Sequence, residues 1–479
     1  MKKIVALLCA LLLSVSCFSA CNGCAPNPPE GGVEGVVDPS APKETLPDYL
    51  EQDEKEFNIG MWVGIPEQRS ILDEYDRVTG TEAWTQEAFE EQYRWIAEAG
   101  FTIASSPTGI SSPAHILRSL DAAEKAGIKR LVWDERVNTV LLNTMISDKE
   151  AIQQARRIMA EYSDHPAFCG NMITDEPQMR EYDALGVGAR RYKEAFPDKM
   201  YYLNLFPVVA TSEQLGTDSY DTYLSAYVEK VSSDYLCYDH YPLLPAQGGG
   251  SRFVDDFLYN MELAQKHMEE SKGEVWTFLQ SMGYSIKKDP DCAEDFRAQV
   301  AASLAYGLKG IQWFCYYSPG YGGNEGFTPA IITLDGKKTA KYDMVKEVNN
   351  EILAFDDVYL NFEWQRAMTF VGSENASGKN AAFNYLTTVN EHERIADMKN
   401  TQDLVAGVFQ DADGRDGFLF ANYDAPTSSA VNALRVAFDN CTQAVCYING
   451  EKREVAVNNG VVNLELNAGD YAFIIPLNL

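Results

Sequence analysis

HPAFCGNMITDEP, running from His165 to Pro177, is an apolar β-type run that stops at two adjacent carboxylates, Asp175 and Glu176, and is closed by a proline. Such a run suits a strand buried on both faces, and a proline cannot carry a central strand onward. Carboxylates at that strand end lie where parallel α/β barrels keep their chemistry, so the fold turns on whether this strand has the right companions.

Outward from it, short β-type runs recur at Phe57–Ile65, Phe101–Ser105, Arg130–Trp133, Phe168–Thr174, Met200–Phe206, Asp234–Tyr238, Glu274–Leu279 and Ile311–Tyr317. Helix-period stretches lie between them, among them Thr85–Ala99, Ala114–Ala126, Lys149–Tyr162, Ala189–Phe196, Ala293–Leu308 and Thr339–Ala354. Several are closed by glycine, which most easily takes the left-handed conformation that ends a helix. Strand then helix, repeated eight times, predicts a (β/α)8 TIM barrel over residues 57–360, with His165–Pro177 supplying its fourth strand. A doubly wound open sheet competes, but it would place a glycine-rich phosphate loop after the first strand, where Trp62-Val63-Gly64-Ile65-Pro66 stands instead.

Past Asn361 the long helical periods stop. Strand-like runs separated by Asp413-Gly414, Asn449-Gly450 and Asn459-Gly460 predict a small C-terminal antiparallel β-sandwich domain over residues 361–479. Covering a barrel flank accounts for it without a sugar site of its own.

The other end of the chain reads as targeting sequence. Lys2 and Lys3 precede an apolar run, Ile4 to Val15, too short to span a bilayer as a folded helix. Phe18-Ser19-Ala20-Cys21 resembles a bacterial lipobox, so residues 1–21 are expected to be a lipoprotein signal peptide, with lipidation at Cys21. Residues 22–56, rich in Pro, Gly and Glu, are expected to form a flexible tether. The protein would then be exported and held at the cell surface, lipid-anchored to the bacterial membrane.

With 70 Asp and Glu against 40 Lys and Arg, the formal charge of −30 repels phosphate backbones and anionic headgroups. Nucleic acid is therefore excluded as an expected partner, and the membrane is met only through the lipid. Cys21 and Cys24 form a CxxC spacing at the cleavage site with no second pair, so neither a metal nor a cofactor is expected. Cys169, Cys237 and Cys315 sit in apolar runs and read as core residues. Cys441 and Cys446 could form a disulfide that their spacing does not demand.

The predicted strand ends bring polar and aromatic groups to one rim. Trp62 belongs to the first strand, Trp133-Asp134-Glu135 to the third, Asp175 and Glu176 to the fourth and Asn204 to the fifth. Asp239, His240 and Tyr241 follow the sixth strand, Gln280 the seventh, and Trp313 and Tyr316 lie on the eighth. Isolated Asp-Glu pairs are ordinarily solvated turns, but this one follows a buried strand and is locked by a proline. Trp62, Trp313 and Tyr316 are candidate stacking surfaces for sugar rings, and filling the barrel interior explains them equally well. Asn204 and His240 are candidates to hydrogen-bond sugar hydroxyls, Gln280 is a further candidate substrate contact, and Tyr241 is a candidate to shape the rim.

The segments GNMITDEP, YLNLFP, YDHYPL, VWTFLQSMGY and AYGLKGIQWFCYYSP, followed by LDGKKTAKYDMVKEVNNEI, together resemble the barrel of clan A-type glycoside hydrolases, nearest to family 42 β-galactosidase-like lipoproteins of gut bacteria. The resemblance covers Phe57 to Ala354. It implies a carbohydrate substrate and a general acid/base at the end of the fourth strand, where Glu176 matches; Asp175 replaces the Asn that normally precedes it. The clan's nucleophilic Glu ends the seventh strand, where Gln280 stands, an amide that cannot attack an anomeric carbon.

Glycosidic cleavage ordinarily needs two carboxyl groups. With Glu176 as acid, Asp239 could activate water, or Asp175 could orient a 2-acetamido group of the substrate that itself attacks; the residues leave both open. Adjacent residues of an ideal strand point to opposite faces, so only one of Asp175 and Glu176 is expected in the cavity, and Glu176 is the expected one. The leading expectation is an exported hydrolase of O-glycosidic bonds in an oligosaccharide or glycan. The alternative is a catalytically inactive glycosidase-like barrel that binds glycans.

Overall fold

The computed structural model describes residues 29, 31–52, 55–106, 111–269, 271–320 and 325–479. The expected signal peptide, with Cys21, lies outside the described residues. Among those described, no helix is long and apolar enough to cross a membrane.

Eight parallel strands carry the larger part of the chain: β1 (Asn58–Met61), β2 (Ile103–Ala104), β3 (Lys129–Val132), β4 (Phe168–Asp175), β5 (Met200–Asn204), β6 (Tyr235–Asp239), β7 (Glu274–Gln280) and β8 (Gly310–Phe314). Each overlaps one of the eight predicted runs, with ends that differ by one to a few residues. They form two four-stranded sheets, ordered β1-β8-β7-β6 and β2-β3-β4-β5. The expected continuous barrel ladder is therefore not closed. At one seam Leu205, just past β5, donates its N–H to Cys237 O of β6 at 2.8 Å. At the other, Thr102 donates its N–H to Ile59 O at 3.0 Å while its hydroxyl accepts the Ile59 N–H at 2.9 Å. A side-chain oxygen thus stands where a ladder carbonyl would, which interrupts the β1–β2 pairing.

Between the sheets lies a packed layer of Ile103, Leu131, Met172, Tyr202, Tyr235, Cys237, Trp276 and Phe278. Tyr202 stacks on Tyr235, and Trp276 packs against Tyr235. Strands covered on both faces must be apolar on both, which explains why they read as runs rather than alternations. The helices outside are cut by their caps. Thr85 accepts Ala88 N–H at the start of Gln86–Glu98, and Ser112 accepts His115 N–H ahead of Pro113. Gly127, at φ +77°, ends Pro113–Ala126.

The C-terminal region holds two antiparallel sheets. The larger has six strands in the order Phe362–Phe370, Leu404–Asp411, Asp416–Asn422, Tyr471–Leu477, Gln443–Ile448 and Glu451–Arg453; the smaller pairs Ile395–Asn400, Asn432–Phe438 and Val461–Leu466. Apolar residues of both sheets, Leu404, Phe418, Leu434, Val436 and Ile474 among them, share one buried layer. Cys441 and Cys446 are buried in it as free thiols, so no disulfide joins them. The opposite face of the larger sheet packs on the α/β part through Phe355, Tyr359, Phe409 and Phe473.

Residues 31–52, expected as flexible tether, lie instead along these sheets. Val33, Val36 and Asp38 donate backbone N–H groups to Asp397, Asp439 and Asn440, and Glu44 N–H reaches Asn478 O. Composition misleads here because the segment is held by its backbone and by Glu34, Lys43 and Glu44, which the sheets engage. At Gly35 a Cβ would fall 2.0 Å from Phe438 O, so only glycine lets the segment approach.

Arg297 ties the two parts together. It is buried on helix Ala293–Ala305, meeting Glu347 at 2.5 Å and Glu351 at 2.7 Å on the next helix, with Asp470 of the C-terminal sheets 4.0 Å away. Removing one partner of a buried ion pair leaves the other charge unpaired. Arg297→Met should destabilise the protein by about 3 kcal/mol, and adding Glu351→Leu should recover much of the loss. Melting temperatures of the two variants test both expectations, and a single mutant melting like the parent would contradict the first.

Candidate active site

At the carboxyl ends of the strands a cleft of about 170 Å³ opens, lined by Trp62, Asp175, Glu176, Asn204, Asp239, Tyr241, Phe278, Tyr284, Phe314, Glu325 and Phe327. Its acidic side is built by β4, β5 and β6. A bulge between Met172 and Thr174 interrupts the pairing of β4 with β5 just before the strand ends. Bulges re-aim the side chains that follow them. Glu176 then takes a left-handed conformation, φ +46°, held by its N–H donating to Asn204 O at 2.8 Å. Left-handed backbone costs a non-glycine residue about 1 kcal/mol or more. Because the strand alternation ends there, Asp175 and Glu176 both line the cleft, where an ideal strand would have turned one away.

Asn204 holds the acids together. Its Nδ2 donates to Asp175 Oδ1 at 3.0 Å and to Asp239 Oδ1 at 3.2 Å, crosslinking the ends of β4 and β6. The side chain is 4% exposed, and its Oδ1 has no hydrogen-bond partner among the described residues.

Burial, reinforced by the charge of Asp175, raises the Glu176 carboxyl to about 7, against the opposing effect of a hydrogen bond with Asp239. Asp239 is raised well above the usual carboxylate range, first by burial and then by the charges of Glu176 and Asp175. Asp175 reaches solvent through the cleft mouth, yet its carboxyl is surrounded by enough protein to be raised too, against the Asn204 hydrogen bond. Glu176 and Asp239 therefore share a proton up to near neutrality, as crowded carboxylates do.

Aromatic rings form the other walls. Trp62 meets Phe278 edge-on at 5.7 Å, Tyr241 lies 4.9 Å from Phe314, and Tyr284 packs against Tyr241, Phe314 and Phe327. Phe278, Tyr284, Phe314, Glu325 and Phe327 were not among the residues expected from sequence. Phe314 was legible: it shares with Gln312 the inward parity of β8, one step away from Trp313.

Four expected contacts lie elsewhere. Trp313 is fully buried on the outer face of β8, its Nε1 donating to Asn349 Oδ1 at 2.9 Å and its ring meeting Phe296. Tyr316 is buried edge-on against Phe101. The Gln280 amide is spent on structure, accepting Leu243 N–H at 3.0 Å and donating to Lys288 O at 2.5 Å, which anchors the loops beside β7. His240 is buried beside Asn260 and Asp256, both 3.2 Å from its ring nitrogens. Buried amides must find partners, and the neighbouring loops supply them to Gln280, while Asn260 partners His240 Nδ1. Asp291, Cys292 and Asp295 are grouped closely enough to hold a cation, but Lys288 Nζ already lies 2.7 and 2.9 Å from the two carboxylates.

No protein family model matches this sequence, and no curated protein does. Among solved structures, a glycoside hydrolase is 12% identical with a TM-score of 0.51, over 87% of this chain and 97% of that one. A glycoside hydrolase family 5 protein from Bacteroides vulgatus is 12% identical with a TM-score of 0.49, over 88% and 89%. A β-galactosidase from Marinomonas ef1 is 10% identical with a TM-score of 0.42, over 57% of this chain and 58% of that one. The first of these shows a shared fold; the resemblance to family 42 rests on the sequence motifs alone.

A carboxyl raised from its ordinary value to about 7 favours folding while it stays protonated. That contribution is complete below the unfolded value of 4.5 and is lost as pH rises through about 7. Glu176→Gln, neutral at every pH, should therefore stabilise the protein at pH 8 by on the order of 2 kcal/mol and change it little at pH 5. Thermal unfolding at the two pH values checks this, and equal shifts at both would contradict it.

Proposed function

We propose that this protein is an exported glycoside hydrolase that cleaves an O-glycosidic bond of an oligosaccharide or glycan, with Glu176 as general acid. One observation carries the reading: Glu176, at the carboxyl end of a parallel strand and facing an aromatic cleft, is raised to about 7, which suits an acid that must hold its proton near neutrality. The fold shared with a glycoside hydrolase agrees with this, but one fold hosts many chemistries, so the cleft bears the argument. A cavity of about 170 Å³ suits a single sugar ring better than a chain, and a terminal residue is the corresponding substrate. Trp62, Tyr241 and Phe314 offer ring surfaces for its apolar face, and Asn204 lines the same cleft.

Asp239 shares the acidic side of the cleft with Glu176 and is tied to Asp175 through the Asn204 amide. Its role in this reading is to share and position the Glu176 proton. Asp175 adds the charge that keeps that proton in place. Export and lipid anchoring through Cys21 belong to the proposal and follow from the leader sequence.

The inactive, glycan-binding reading is favoured by Gln280 standing where the clan keeps its nucleophile. Hydrolysis of a panel of aryl glycosides and glycans by the parent and Glu176→Gln separates the two. The variant should lose at least about 10²-fold in kcat on glycans, whose leaving alcohol needs a proton, and far less on dinitrophenyl glycosides, whose leaving group does not. Undiminished glycan turnover by Glu176→Gln sinks the proposal, and saccharide binding without product from the parent favours the alternative.

A further inference from the structure

Four acids line the cleft, Asp175, Glu176, Asp239 and Glu325, and none of its lining residues is Lys, Arg or His. Acids buried elsewhere in the chain are provided for. Asp134 meets Arg136 at 2.8 Å, Asp295 meets Lys288 at 2.9 Å and Asp411 meets Arg415 at 2.8 Å, while Asp403 takes N–H groups from Gly372, Asn375 and Asn380. In the cleft Asp239 is buried and Glu176 half-buried, yet one side-chain nitrogen, Asn204 Nδ2, serves Asp175 and Asp239 together. No cation of the protein lowers the carboxyl of Asp175 or of Glu176. Buried charge ordinarily keeps a partner. Here the protein supplies none, and Asp175 is exposed at the mouth, where a partner can enter from outside. The other walls have the same preference. Six of the eleven lining residues are aromatic, and ring faces attract cations and repel anions. The Tyr241 and Tyr284 hydroxyls on those walls meet no hydrogen-bond partner among the described residues, which leaves them to a ligand. Carboxylates and aromatic rings around a space the size of one sugar, with no cationic side chain, suit an ammonium group.

We propose that the cleft selects a terminal sugar carrying a free, protonated amine, a 2-amino-2-deoxy glycoside. This rests on the reading of Glu176 as the acid at the glycosidic oxygen. The ring position next to the anomeric carbon that can carry an amine is C2, and the acids beside Glu176 in the cleft are Asp175 and Asp239. A neutral hexose could donate hydroxyls to these acids but would leave their charge in place. An ammonium donates three hydrogens and cancels one charge, and charge-assisted hydrogen bonds are roughly twice as strong as neutral ones. An N-acetylated sugar presents a neutral amide there, and a uronic acid adds a further carboxylate with nothing to receive it. Bound beside Asp175, the ammonium also offsets the charge that holds the Glu176 proton, and so eases its transfer to the leaving oxygen. The formal charge of −30 draws cations toward the whole molecule in the same sense.

Titration calorimetry of the parent protein tests the selectivity directly. D-glucosamine is compared with D-glucose, N-acetyl-D-glucosamine and D-glucuronate, and D-galactosamine with the corresponding galactose series. One of the two amines should bind at least about tenfold more tightly than its neutral and N-acetylated counterparts, with the uronic acid weakest. Raising the salt concentration should narrow that ratio. Asp175→Asn keeps the shape of the side chain and removes one charge; with the fold checked by its melting temperature, it should lose most of the preference for the amine. Equal or tighter binding of a neutral or N-acetylated sugar by the parent overturns the proposal, as does no binding of either amine, and neither outcome depends on a variant. An amine preference undiminished in a folded Asp175→Asn protein overturns it as well. Full glycan turnover by Glu176→Gln would instead overturn the reading of Glu176 as the acid, which sugar binding does not measure, so the two failures are told apart.

Discussion

Two hydrogens on one nitrogen organise the cleft. Asn204 Nδ2 reaches Asp175 on one side and Asp239 on the other, so the ends of β4 and β6 are held at the spacing that β5 imposes between them. Without a donor there, like-charged carboxyls at neighbouring strand ends would repel and turn toward solvent. The same residue's carbonyl accepts the Glu176 N–H and fixes its left-handed conformation. A single Asn therefore sets both the electrostatics and the aim of the acidic cluster. The cost of crowding three acids is taken up as protonation, since Glu176 and Asp239 hold a proton that isolated carboxyls would release.

This dependence explains what could and could not be read in the residues. The eight strands were legible because burial on both faces forces long apolar runs, and Asp175-Glu176-Pro177 was legible because carboxylates and a proline end such a run abruptly. Which of the two acids faces the cleft was not legible. The answer depends on a bulge at Ile173 and a positive φ at Glu176, both products of pairing with β5. The aromatic walls were missed for a related reason. On β8 the sequence points to Trp313, whereas the parity of Gln312 turns Phe314 inward, and a one-residue difference exchanges the two faces of a strand. Tyr284, Glu325 and Phe327 come from loops, whose approach to the cleft leaves no periodic mark.

Histidine and glutamine at strand ends suggest ligand contacts because polar groups gather at a rim. Three-dimensional packing assigns them differently. His240 is enclosed by Asn260, Asp256 and Phe257, and Gln280 by two loops and Gln299. Each satisfies buried polar groups whose exposure no sequence pattern reports. The N-terminal segment shows the converse. Its composition resembles that of a solvated chain, yet Asp397, Asp439, Asn440 and Asn478 of the C-terminal sheets receive or supply its hydrogen bonds.

Gln280 connects these points. A carboxylate there would be fully buried against Leu243 N–H, Lys288 O and the Gln299 side chain, and one of its oxygens would face the Lys288 carbonyl. Two acceptors in contact repel, and burying an unpaired charge costs several kcal/mol. The amide supplies a donor to one carbonyl and an acceptor to one N–H, so the loops beside β7 can pack tightly over it. The local structure thus favours Gln over Glu at this strand end. Once the seventh strand is committed to holding its loops, its end contributes no carboxylate to the cleft, and the acids there come from the fourth and sixth strand ends.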